Sequence, residues 1–244
     1  MTGRPEAGFV SKTAALLHKD LRLELRGRDT LPPMLAFAFA VALLLTFTLP
    51  AEGRLRAPAE TPFGTVAFAD VLSGFFWITV LFAGLIGFAR SFETEREDGA
   101  LEALLLVPLD RSGLFAAKAL TNLAYLAVVE LFLVPVFALM FGLDLGMRWL
   151  LLALVILLAD VGFVCAGTLF AALAASTRSR ELMLPILALP VLVPVFIAAT
   201  ELTSDLFLGA GFDEVAARGW FGVLFAFNVV SATIGALAFE FALQ

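Results

Sequence analysis

"WLLLALVILLADVGFVCAGTLFAALAA", residues 149–175, carries a single charged side chain, Asp160, in the middle of an otherwise apolar run. So long a run with so little charge reads as a helix that crosses a bilayer, where no polar face is needed. The same reading applies five more times along the chain. Residues 32–50 hold no charge and reach about 28 Å at about 1.5 Å per residue, close to a hydrocarbon core of about 30 Å. Residues 66–89, 119–141, 182–200 and 220–239 supply the other spans. Of the 244 residues, 61% are hydrophobic and 16% charged, with a mean hydropathy of +0.99, whereas a soluble domain carries about 25% charged residues. The expected fold is all-α: a polytopic membrane protein with six transmembrane helices.

The polar segments organise the rest. Residues 1–31 form an N-terminal segment, and residues 32–244 form the six-span domain. Within 9–28, Ala14, Leu17, Leu21 and Leu25 recur every three or four positions while Lys12, Lys19, Arg22 and Arg26 take other faces, predicting an amphipathic helix at the membrane surface. The apolar run at 32–50 lacks a small-residue cleavage site on its far side and is expected to be retained as a span. Residues 51–65 read as a polar loop, and 201–219 as a loop with an interfacial helix. Pro185, Pro190 and Pro194 predict a kink in span five.

Lysine and arginine set the orientation. Six lie in residues 1–31, four in 90–118 and two in 176–181, whereas the alternate loops hold only Arg54, Arg56, Arg148 and Arg218. The positive-inside rule therefore places both termini and the 90–118 loop in the cytoplasm. The two three-span halves do not repeat one another, which disfavours an inverted-repeat carrier.

Little of the usual chemistry is available. The chain has one cysteine, Cys165, and one histidine, His18, so neither a metal cluster nor a paired-ligand haem site is expected, and no catalytic residue is assigned. There is no phosphate-binding GxxxxGK[ST] loop, so any ATP is hydrolysed by another polypeptide. Two carboxylates lie deep within spans, Glu130 and Asp160, and ionisable groups at that depth mark function by default. They line a polar path, relay a proton or bond a neighbouring helix. Pro135 frees the carbonyl of Leu131 nearby.

The charged loop after span two is the stronger candidate. Glu93, Arg96 and Glu97 share a helix surface continuing that span, where pairs three and four apart interact. Gly99 divides this piece from "ALEALLL", whose Leu101, Leu104 and Leu105 form one face of a short helix that Pro108 ends. Asp110 is placed to cap the next span. A helix lying across the mouth of the bundle, charged on one flank and leucine-rich on the other, suits a membrane subunit that receives force from a separate motor.

These residues resemble a known family. "KDLRLELRGRDTLPPML" (19–35), "RSFETEREDGALEALLLVPLDRSGLFAAKAL" (90–120), "PVFALMFGLDL" (135–145) and "LPILALPVLVPVFIAAT" (184–200) are similar to the cytochrome c maturation protein B (CcmB) family of haem exporter permeases. The resemblance implies an exporter permease of the ABC-2 kind in a bacterial inner membrane, serving haem delivery in c-type cytochrome biogenesis. It implies a cytoplasmic ABC ATPase subunit of the A type as partner, a haem-handling membrane subunit of the C type, a small membrane subunit and a haem chaperone. No nucleic-acid partner is implied. By the same resemblance Glu93, Arg96, Glu97, Asp98, Gly99, Leu101, Glu102, Leu105 and Pro108 form the ATPase-coupling contact. No cofactor is expected on this chain; ATP is bound by the partner, and haem is a cargo of the complex. Trp77, Trp149 and Trp220 are isolated, so haem ligation is not carried over. Two other readings stay open: an exporter permease for a lipid, drug or polysaccharide, and a proton-driven carrier using Glu130 and Asp160.

Overall fold

The computed structural model describes residues 9–49, 58–61, 64–92, 111–175 and 180–242. The order is α1 (Phe9–Gly27), α2 (Leu31–Thr48), β1 (Pro58–Thr61), β2 (Gly64–Ala67), α3 (Phe68–Arg90), α4 (Arg111–Phe141), α5 (Trp149–Ala175), α6 (Arg180–Leu208), α7 (Phe212–Ala217) and α8 (Trp220–Ala242). Six of these helices, α2 to α6 and α8, are long and apolar enough to cross a membrane.

Two stretches differ from the sequence reading. Span five does not end at Thr200: α6 continues to Leu208, because Glu201 and Asp205 stand on its surface and pair with Arg218 at 2.5 Å and 2.6 Å. Only Phe212–Ala217 remains as the short helix expected there. Pro58–Thr61, within the stretch expected as a polar loop, and Gly64–Ala67, which reaches into the expected start of span two, form an antiparallel ribbon in which Pro58 opposes Ala67 and Thr61 opposes Gly64. Pro58 disguises it, since proline lacks a backbone donor and in sheets is confined to edge or first positions. Pro135 lies inside α4, and Pro185, Pro190 and Pro194 lie inside α6.

Burial of apolar area does not by itself drive helices together in lipid, so the bundle relies on close packing and polar contacts. Its centre is α3 and α5, the most buried spans. They cross through two reciprocal glycine–phenylalanine contacts: a Cβ at Gly84 would strike the Phe163 ring, and one at Gly167 would strike the Phe88 ring. The two rings meet edge to face, 5.0 Å apart. From Phe163 the aromatic contacts continue to Phe196 of α6 at 5.1 Å, Trp77 of α3 at 5.9 Å, Phe76 at 5.4 Å and Phe137 of α4 at 5.4 Å. Edge-to-face rings at such separations add about 0.5–1.5 kcal/mol per pair beyond simple contact.

Buried donors hold the remaining joints. Trp77 Nε1 donates to Thr203 Oγ1 at 2.9 Å, joining α3 to α6. Asn122 Nδ2 donates to Thr168 Oγ1 at 3.0 Å, joining α4 to α5. Asn228 Nδ2 donates to the Leu158 carbonyl at 2.9 Å, joining α8 to α5. At the ribbon end, Asp70 accepts from the Ala67 amide at 3.0 Å and from the Ser204 hydroxyl.

Candidate functional site

The segment singled out for partner contact leaves α3 at Phe92 and enters α4 at Arg111. Glu93, Arg96, Glu97, Asp98, Gly99, Leu101, Glu102, Leu105, Pro108 and the cap candidate Asp110 lie outside the described residues. Its two anchor points are described, and they converge on one side chain. Lys118, two turns into α4, has its Nζ 3.0 Å from Asp20 Oδ2 of α1 and 5.6 Å from the centre of the Phe92 ring. Asp20 also meets Lys19 at 3.2 Å through its other oxygen. Phe92 and Phe115 in turn flank Phe239 of α8, with centroids 6.2 Å and 5.3 Å away.

The α1 helix is therefore docked by a polar face. Thr13, Asp20 and Glu24 are its buried residues, while Val10 and Leu25 are 77% and 74% exposed. Glu24 accepts from the backbone amides of Thr30 at 3.0 Å and Leu31 at 2.7 Å, using its carboxylate at the start of α2, where free amides and the helix dipole favour negative charge. Of the apolar stripe expected on a membrane-surface helix, Ala14 and Leu25 are exposed, Leu17 is half-buried, and Leu21 packs partly buried against the core. Sequence reading missed Asp20, Glu24 and Lys118, although a lysine beside the apolar run of span three was the visible signal.

The second candidate, Glu130 with Asp160, is brought together. Each lies eleven positions from the α4–α5 connection, Glu130 before Phe141 and Asp160 after Trp149. Helices joined by the short 142–148 segment hold such positions level, about 16 Å below the helix ends. Both side chains are almost fully buried, 3% and 2% exposed. They lie within electrostatic reach of one another. The two carboxyls face one another at hydrogen-bonding range, and no other described residue donates to either Glu130 oxygen or to Asp160 Oδ1. The two carboxyls open into a cavity of about 600 Å³ between α4 and α5, whose other walls are apolar. Among the described residues no group of three potential metal ligands occurs.

Comparison with known proteins adds to this geometry. The CcmB protein family matches residues 11–244. The chain belongs to that family. A heme exporter protein B of Rhodobacter capsulatus is 31% identical over 188 residues, covering 77% of this chain and 80% of that protein. The protein of the same name from Paracoccus denitrificans is 31% identical over 77% of this chain and 80% of its own length. That of Bradyrhizobium diazoefficiens is 26% identical over 94% of this chain and 96% of its own. Membership of the family bears out the resemblance read from the four stretches of sequence at 19–35, 90–120, 135–145 and 184–200.

Proposed function

We propose that this chain is the membrane subunit of an ABC-type haem exporter acting in c-type cytochrome biogenesis, a multi-pass protein of a bacterial inner membrane with both termini cytoplasmic. The names of its relatives support haem as cargo, and the distribution of lysine and arginine supports the orientation. ATP hydrolysis belongs to a separate ATPase subunit, and a haem-handling membrane subunit, a small membrane subunit and a haem chaperone complete the assembly.

The observation that carries the coupling role is the convergence at Lys118. A force applied to residues 93–108 acts on Phe92 and Arg111, and Lys118 ties both ends of that segment to Asp20 of α1. Glu93, Arg96, Glu97, Asp98, Gly99, Leu101, Glu102, Leu105 and Pro108 are the contact surface, and the α1–α4 joint passes displacement into the bundle. Packed helices transmit displacement in this way because their interfaces are close-packed.

The test is Glu97→Arg combined with Glu102→Arg. The ATPase no longer co-purifies and the yield of holocytochrome c falls at least tenfold; unchanged values for both refute the contact surface.

A further inference from the structure

The cavity between α4 and α5 is a groove rather than a pocket. Its walls extend from Leu120 to Pro135 on α4 and from Trp149 to Asp160 on α5, about 22 Å and 16 Å at the helical rise. It thus runs parallel to the spans for over half the thickness of a hydrocarbon core. Its rim is open, with Leu131 77% and Leu157 52% exposed, and its lining includes Ala124, Ala127 and Ala153. Small residues of that kind let a further helix backbone approach closely.

The floor is also charged in composition. Glu130 and Asp160 sit there at one depth, nearly fully buried and facing one another, and no other described residue donates to three of their four carboxyl oxygens. Buried acids of this sort require donors or a counter-charge. A second copy of the chain cannot supply a counter-charge at this depth. Arg90, Lys118 and Arg148 lie near span ends, and no lysine or arginine falls in the middle of any of the six spans. Haem is a poor occupant, because the lining offers no imidazole, thiol or thioether and the carboxyls oppose its propionates.

We propose that this groove docks a transmembrane helix of a partner membrane subunit, which presents a lysine or arginine to Glu130 and Asp160 at mid-depth. The long axis fits a helix, the alanines admit its backbone and the paired acids select its charge. The inference rests on the chain's being one subunit of a larger membrane complex, and is separate from the contact at 93–108.

The experiment uses the complex purified from membranes of cells that express this chain with its native partners. A photo-crosslinking p-benzoylphenylalanine is placed at position 131, with position 225 on α8 as control. Position 131 forms an adduct with a different membrane polypeptide, within one helical turn of a lysine or arginine, and position 225 does not. Glu130→Gln with Asp160→Asn lowers recovery of that polypeptide at least tenfold. Glu130→Lys together with a glutamate in place of the partner's basic residue restores it. ATPase recovery in the same samples reports that the variants fold and keeps this test apart from that of residues 93–108. Should the double variant not fold, the crosslink map decides alone. An adduct only with lipid or with a second copy, an adduct far from any basic residue, or native recovery by the double variant overturns the proposal.

Discussion

Asp20 and Lys118 form an ion pair at 3.0 Å with 8% and 5% of their side chains exposed, closing the N-terminal helix onto the fourth. Removing one member of a buried pair strands the other and costs about 3–5 kcal/mol, whereas replacing both by apolar residues is often neutral. Asp20→Asn or Lys118→Met therefore lowers the thermal midpoint of helical unfolding in detergent and makes α1 sensitive to protease. Asp20→Leu with Lys118→Met recovers most of the loss. Equal damage from the single and double variants would contradict the pairing.

The crossing of α3 and α5 leaves no room at Gly167. A methyl group there meets the Phe88 ring, and overpacking of this kind costs about 1–3 kcal/mol. Gly167→Ala should lower the unfolding midpoint, and Phe88→Leu in the same chain should return part of it. If Gly167→Ala is silent, the helices are further apart than described.

Much of the architecture is legible in the chain. Charge-free runs locate the spans because lipid leaves the backbone no other partner than its own helix. Glu130 and Asp160 stand out for the same reason. Their pairing does not, since hydropathy says nothing about which faces of α4 and α5 meet. The docking of α1 is hidden more deeply: its leucines suggest an apolar contact, yet the buried face holds Asp20 and Glu24, whose partners are Lys118 and the start of α2. The end of α6 is masked because Glu201 and Asp205 look like loop residues until Arg218 is placed beside them.

Thr203 is the acceptor for the Trp77 indole in the centre of the bundle. Thr203→Val preserves shape but leaves a buried donor unpaired, at about 1–3 kcal/mol. Thr203→Ser keeps the oxygen and much of the stability. Thermal midpoints, together with the emission maximum of Trp77 after Trp149→Phe and Trp220→Phe, separate the two variants; identical behaviour would remove the hydrogen bond from the account.

Arg218, 45% exposed with Glu201 and Asp205, makes a network of a different weight. Burial lowers the pKa of its guanidinium, but Asp205 and then Glu201 outweigh that effect and leave it raised. A raised pKa contributes stability that is complete below the unfolded value and lost only as the pH rises through the folded one. The arginine's contribution is thus constant across the neutral range. Exposed pairs are worth about 0–1 kcal/mol and are screened by salt. Arg218→Ala accordingly gives a small fall in midpoint that shrinks at high ionic strength and does not change between mildly acidic and mildly alkaline buffer.

The equal spacing of Glu130 and Asp160 from the α4–α5 connection has a consequence for insertions and deletions. One residue gained or lost within 142–148 leaves the phase of each helix to its own contacts. One residue lost between 131 and 141 swings the outer part of α4 by about 100° relative to Glu130 and shortens it by about 1.5 Å. If the lost residue lies between 131 and 136, either Glu130 turns away from Asp160 or Phe137 turns away from Phe76 of α3. Such a deletion leaves the span as apolar as before, so its harm would be invisible to any hydropathy plot. The connection is where the chain can change length, and the eleven positions on each side of it are counted.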